Sequence, residues 1–138
     1  MPMNKSAIKS PTLLLDPHIC RSNIRRMVKK AAGKHLTLRP HFKTHQSAQI
    51  GEWIKTEGIT ACTVSSVIMA EYFAAHGLDD ILIAFPVNVL ESEKINDLGN
   101  KLKLQVLVYD KESIKLLSER VDAPIGIKIE LDLGSQRS

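Results

Sequence analysis

The sequence predicts an α/β protein: a partial (β/α)8 TIM-type barrel of about five parallel strands alternating with helices, truncated before closure. Three observations carry this reading. Apolar runs of strand length alternate with segments of helical periodicity, the pattern of parallel βαβ units. The expected strands begin near residues 36, 59, 81, 104 and 125, so each step is 21 to 23 residues. So even a rhythm favours a repeated β/α wheel over a doubly wound sheet. The first and last of these strands also carry charge on alternate residues, which gives each one polar face.

The elements follow in order. "TLLL" at 12–15 reads as a short strand. Asp16 then offers an N-cap and Pro17 a first-turn residue. The helix they open places Cys20, Ile24, Met27, Val28 and Ala31 on one face, and Gly33 stops it. A strand follows at about 36–44. Ser47 begins a second helix, with Ile50, Trp53 and Ile54 inward and Gly58 at its end. "ITACTV" (59–64) is a strand, and Ser65 or Ser66 caps a helix that runs to Gly77. "ILIAF" (81–85) is a strand, and Asn88 precedes a helix with Leu90, Ile95 and Leu98 inward. "LQVLVY" (104–109) is a strand, and Asp110 caps a helix carrying Ile114, Leu117 and Val121. "IGIKIELDL" (125–133) is the last strand.

Composition bounds the function. With 43% hydrophobic residues the 138-residue chain can bury a core. The net charge of +4 tolerates nucleic acid, but lysine and arginine are dispersed and aromatics are only 4%, so no nucleic-acid module is expected. Cys20 and Cys62 form no CxxC pair or zinc pattern and read as small buried hydrophobes. The N-terminus lacks an apolar signal core, and the run "ILIAFPV" is far shorter than the ~20 residues that span a bilayer. The chain is expected to be cytoplasmic, with no membrane contact. Residues 1–10 read as a flexible tail and 11–138 as one domain. A complete barrel takes about 250 residues, so the chain is expected to be a fragment or a truncated reading frame. Five parallel strands leave two open edges.

The informative stretch is "RPHFKTHQ", residues 39–46. If it is a strand, Arg39, His41, Lys43 and His45 share one face, while Leu38, Pro40 and Phe42 face the helices. In the last strand, Ile125, Ile127, Ile129, Leu131 and Leu133 share the apolar face, and Lys128, Glu130 and Asp132 the opposite one. Charged inner faces near the C-terminal ends of strands are where a barrel keeps its active site. Three readings of the stretch stand side by side. His41 and His45 at H-x3-H spacing suggest metal, but on a strand they lie about 13 Å apart and cannot share an ion, so no metal site is assigned. The stretch can be a solvated strand face. Or Lys43 can be a Schiff-base lysine, its amine freed by neighbouring cations such as Arg39 and by desolvation.

"TLLLD", "RPHFKTH", "TVSS" with "MAEYFAAHG", "DDILIAFPVN" and "IELDLGSQR" occur in that order. Together they resemble the N-terminal barrel region of the D-threonine aldolase and D-serine dehydratase-like family. That family belongs to the alanine racemase (fold type III) class of pyridoxal-phosphate enzymes. The resemblance covers residues 11–138. It implies that Lys43 is both the catalytic and the cofactor-binding lysine, joined to pyridoxal 5'-phosphate as a Schiff base. The family's Gly-x-x-Arg falls on Gly134 to Arg137, which makes Arg137 the arginine expected to reach the cofactor or its lysine. His41 and His45 are candidates for lining the substrate pocket, with structural hydrogen bonding as the equal alternative. Thr63 and Ser65 are further candidates, helix capping being the expected role of Ser65.

The activity implied is D-threonine aldolase-like cleavage of a D-3-hydroxy amino acid to glycine and an aldehyde. The alternatives are a D-serine dehydratase-like or racemase-like enzyme, or a non-catalytic cofactor-binding remnant. The family's phosphate-binding loops come from later strands, and its divalent metal (manganese or zinc) is held by a C-terminal β domain. The 138-residue chain is therefore expected to be inactive alone, and a full-length protein to be a homodimer.

Overall fold

The structure, a computed structural model, describes residue 6 and residues 8–134. Its regular elements are α1 (Pro17–Ala32), α2 (Ala48–Thr56), β1 (Ala61–Val64), α3 (Val67–Ala75), β2 (Asp80–Pro86), α4 (Ser92–Gly99), β3 (Lys103–Val108), α5 (Lys111–Arg120) and β4 (Gly126–Ile129). Two 3-10 turns, Phe42–Thr44 and Val89–Glu91, complete them. The four strands form one parallel sheet in the order β1-β2-β3-β4. Strand order that follows chain order is the arrangement of a (β/α)8 wheel, and the fold is a partial barrel of that type.

Local chemistry starts the helices where expected. Asp16 accepts hydrogen bonds from His18 N–H and Ile19 N–H, with Pro17 in the first turn. Ser47, Ser66 and Asp110 accept from the backbone N–H groups of Ile50, Met69 and Ser113. Asn88 caps the short turn ahead of α4, accepting from Leu90 N–H. Of the two serines after β1, it is Ser66 and not Ser65 that caps α3.

Cross-strand register sorts the side chains. Cys62, Val64, Ile81, Ile83, Leu104, Val106 and Val108 point to the helices and are all at most 5% exposed. Phe73, Ile95, Leu98 and Leu117 of the helices close over them. Each such side chain contributes about 1.5–3 kcal/mol of burial. Ala61, Thr63, Asp80, Leu82, Lys103, Gln105, Leu107 and Lys128 occupy the opposite, inner face.

Several sequence expectations change. Residues 12–15 form no strand: they pair with no other segment among the described residues, and Leu13 is 96% exposed. The strand expected at 36–44 shrinks to one bridge, His41 to Thr63, beside the bond from Thr63 N–H to Pro40 O (2.8 Å). Pro40 has no N–H for a ladder, and the 3-10 turn begins at Phe42. The sheet therefore has four strands among the described residues, not five. The last strand stops at Ile129 and not at 133, because its partner β3 ends at Val108; Glu130 N–H donates to Val108 O as the final rung. Beyond it, Asp132 Oδ1 accepts from Gly134 N–H, and Gly134 turns the chain at φ +100°. Met27, Leu90 and Ile114, expected inside, are exposed, and so are Ile127, Ile129, Leu131 and Leu133.

A polar network ties the strand starts together on the inner face. Arg39 reaches Cys62 O (3.1 Å), Asp80 O (3.3 Å) and Asp80 Oδ1 (2.6 Å). Lys103 Nζ bonds Asp80 Oδ2 (2.9 Å) and Gln105 Nε2 bonds Asp80 Oδ1 (3.1 Å). Burial pushes the Asp80 carboxyl up, but the hydrogen bonds and charges of Lys103 and Arg39 outweigh it and hold it below the usual carboxylate range. A depressed carboxyl pKa gives stability that is present above the unfolded value and is lost as pH falls through the folded one. Asp80→Asn should therefore cost about 1–3 kcal/mol in urea unfolding at neutral pH. The variant should also lose part of the acid sensitivity seen in the unmodified chain below the carboxylate range.

Candidate active site

Arg39, His41, Lys43 and His45 lie on a segment only eight residues long, and the fold distributes them to three places. Arg39 lies at the N-terminal end of the sheet, on Asp80. His41 lies one step further on, beside Thr63 on the inner face. Phe42 then turns inward and is fully buried. Its ring meets Phe73 edge-on at 4.8 Å. Gly51 makes room for it: a Cβ at Gly51 would lie 3.2 Å from Phe42 Cε2. The chain winds into the 3-10 turn around this anchor, which carries Lys43 to the C-terminal end of the first strand position, exposed to solvent.

The turn is closed by its own side chains. Lys43 N–H donates to His41 Nδ1 (3.3 Å) and Thr44 Oγ1 donates to His41 O (3.2 Å). Gln46 N–H donates to Phe42 O (3.0 Å). Gln46 takes the left-handed backbone region, φ +46°. For a non-glycine residue this costs roughly 1–2 kcal/mol, strain that clusters at functional sites. Lys43 forms no ion pair among the described residues. Its Nζ stands at the rim with no carboxylate partner among the described residues.

Arg39, His41, Lys43 and His45 do not share one face. The alternation breaks at Phe42, and His45 swings to the helix side, where its ring lies 4.7 Å from Phe42 and 6.2 Å from Phe73. His45 Nδ1 accepts from Ser47 N–H (3.2 Å), and its Nε2 is buried with no hydrogen-bond partner among the described residues. The placement gives His45 a packing role in α2's entry and takes it away from the rim. His41 stays beneath Lys43. Burial, and then the Lys43 charge, lower its pKa from 6.5, so it is neutral at pH 7. With Nδ1 accepting from Lys43 N–H, the imidazole proton sits on Nε2. His41 and His45 point apart, and among the described residues no group of three or more His, Cys, Asp or Glu is placed to hold a metal ion. Arg137 lies outside the described residues, as do Ser135, Gln136 and Ser138 and, from the expected tail, residues 1–5 and 7.

Tyr109 is a rim residue that sequence reading passed over. It follows β3 on the inner-face parity of Gln105 and Leu107 and is 61% exposed. The signal was present: it ends the strand "LQVLVY", where a barrel builds its site. Ser65, freed from capping by Ser66, stands at the same level after β1. A cavity of about 290 Å³ opens beside it, lined by Ser66, Ile83, Phe85, Asn88 and Val106 among others.

No family model matches the chain. It is 31% identical over 144 residues to a 3-hydroxy-D-aspartate aldolase of Paracoccus denitrificans, covering 98% of this chain and 36% of that protein. It is 29% identical over 135 residues to a D-threo-3-hydroxyaspartate dehydratase of Delftia sp., covering 95% of this chain and 36% of that one. Its structure superposes on D-threonine aldolase from Filomicrobium marinum with a TM-score of 0.91 at 27% identity, over 97% of this chain and 37% of that one. The chain is homologous to the D-threonine aldolase and D-serine dehydratase-like family. It spans about a third of the length of the family members it matches. Their names include both aldolases and dehydratases, so the likeness does not single out one reaction.

Both site histidines have lowered pKa values, His45 through burial alone as the lowering cause. A histidine depressed below 6.5 gives stability that is complete above 6.5 and is lost as pH falls from 6.5 to the folded value. Unfolding free energy should therefore decline between pH 7 and the depressed histidine range, a window above that of Asp80. In the His41→Asn/His45→Phe variant this part of the slope should disappear, as read by urea denaturation at several pH values.

Proposed function

We propose that this chain is part of a pyridoxal phosphate-dependent enzyme acting on D-amino acids, with Lys43 as the residue that joins the cofactor. The reaction proposed is D-threonine aldolase-like: breakage of the Cα–Cβ bond of a D-3-hydroxy amino acid, giving glycine and an aldehyde. The observation that carries the reading is the state of Lys43. It is an exposed primary amine without an ion pair among the described residues, held at the end of the first strand position by a turn that includes the strained Gln46. A primary amine in that setting fits the aldehyde end of pyridoxal phosphate, since condensation needs access and no competing carboxylate.

When bound, the cofactor supplies a ring that draws electrons from a bond at the substrate's Cα. Lys43 would hold the cofactor through its Nζ, at the aldehyde end. The same Nζ, at the rim, would be placed to take up a proton near Cα. His41, neutral, holds the backbone of the turn through Nδ1 and leaves Nε2–H to donate. Arg137 is proposed to reach the cofactor or Lys43, as the resemblance implies. A divalent metal belongs to the proposal only for a longer protein. Dehydration of a D-hydroxy amino acid is the second reading, favoured by the likeness to the Delftia dehydratase, whose identity and coverage nearly equal those of the aldolase.

The chain should be incubated with pyridoxal phosphate, reduced with borohydride, digested and mapped by mass spectrometry. The phosphopyridoxyl group should concentrate on Lys43 and vanish from that peptide in Lys43→Ala. Label spread evenly over the surface lysines would overturn the assignment. For the reaction, the product of the whole reading frame should release glycine from D-threonine. Release of the keto acid alone would favour the dehydratase reading.

A further inference from the structure

The cavity of about 290 Å³ beside Ser65 has no part in the chemistry assigned to Lys43 and His41. Its walls all come from residues 65–106, between the turn that follows β1 and the turn that follows β2, and none belongs to the last strand. Register sets it beside the candidate lysine. His41 bridges to Thr63, so Ser65, two residues on, is level with the end of the first strand position that carries Lys43. A bulge in β2 makes the space. Ile83 pairs with Val106 and Pro86 with Leu107, so β2 advances three residues while β3 advances one. Alternation would put Phe85 on the helix side with Ile83. The bulge turns it outward, 63% exposed, and leaves Ile83, Ile95 and Val106 as an apolar floor.

The lining decides what fits. A cavity of about 150 Å³ walled by aliphatic and aromatic side chains holds benzene, so this larger one has room for a ring. Among the described residues that line it none is Lys, Arg or His, and Glu91 is the one that carries a charge. A carboxylate entering it would lose water, gain no cation and meet Glu91. An uncharged apolar group meets neither obstacle and leaves water for Ile83, Ile95 and Val106. We propose that this cavity is the subsite for the 3-substituent of the substrate. It selects D-3-hydroxy amino acids that carry an uncharged apolar group, an aromatic ring above all, over those that carry a second carboxylate. The inference rests on the reading of Lys43 as the cofactor lysine. It sets the substrate of this chain apart from the hydroxyaspartate in the names of its Paracoccus and Delftia relatives. Phe85 is the wall on which a ring packs, and Glu91 is the charge that turns a carboxylate away.

The test is methyl NMR of the chain titrated with benzyl alcohol, a neutral aromatic alcohol, and with glycolate, its carboxylate counterpart. Borohydride labelling of Lys43 runs alongside, and far-UV circular dichroism shows that each variant folds. Benzyl alcohol should shift the methyl signals of Val67, Ile83 and Val106, and bind at least about tenfold more tightly than glycolate. Phe85→Ala should weaken benzyl alcohol about tenfold. Glu91→Lys should bring glycolate to the same methyls by reversing the charge. In the product of the whole reading frame, kcat/KM for D-3-phenylserine should exceed that for D-3-hydroxyaspartate by at least about tenfold, and the ratio should fall in both variants. Benzyl alcohol that shifts none of these methyls, or glycolate that shifts them as readily in the unmodified chain, would overturn the proposal, while an intact Lys43 label left the cofactor reading standing. Loss of the label with the benzyl alcohol shifts intact would overturn the cofactor reading, and with it the assignment of this cavity to a substrate.

Discussion

The burial of Phe42 is the constraint on which the rest of this molecule's chemistry depends. The stretch around it carries four basic side chains in seven residues, and a regular strand would line them up on one face. Such a row has no stable solution in a narrow inner face, because like charges repel and each loses water. Phe42 dissolves the row. Fully buried against Phe73 and seated over Gly51, it draws the chain inward and begins the turn. Residues before it stay with the sheet, and residues after it leave.

The division separates stability from chemistry. Arg39 and Lys103 converge on Asp80 at the starts of the strands, the end of a barrel that holds the fold together. The Arg39 charge is used there and is not an activator of Lys43. Lys43 is lifted to the opposite end, where helix caps, Tyr109 and Ser65 ring the mouth. His41 connects the two levels: it bridges to Thr63 on the sheet and receives the Lys43 N–H. The reactive amine is thus set by backbone geometry more than by the cations beside it in sequence.

Much of the fold was legible because its signals are local. Asp16, Ser47, Asn88 and Asp110 cap where their chemistry says they should, and the apolar runs at 61–64, 80–86 and 103–108 became strands within two residues of expectation. What failed depended on partners far away in sequence. "TLLL" and residues 131–133 have strand-like composition but bond to no strand among the described residues. Alternation in 39–45 failed because Pro40 withholds a donor and the pocket for Phe42 comes from Gly51 and Phe73, which no local pattern announces. Lys43 was legible through its motif. The parting of His45 from it was not, since stacking on Phe42 and Phe73 is a tertiary event.

The most direct test of this account is native-state amide hydrogen exchange at two positions flanking Phe42. Thr63 N–H is bonded to Pro40 O, and Gln46 N–H to Phe42 O. If Phe42 anchors the turn to the core, both amides should exchange as slowly as those of β2 and β3, opening only with the core. Exchange at Gln46 as fast as in the exposed segment 12–15 would mean that the turn opens freely while Phe42 stays home. That result would contradict the claim that core packing positions Lys43.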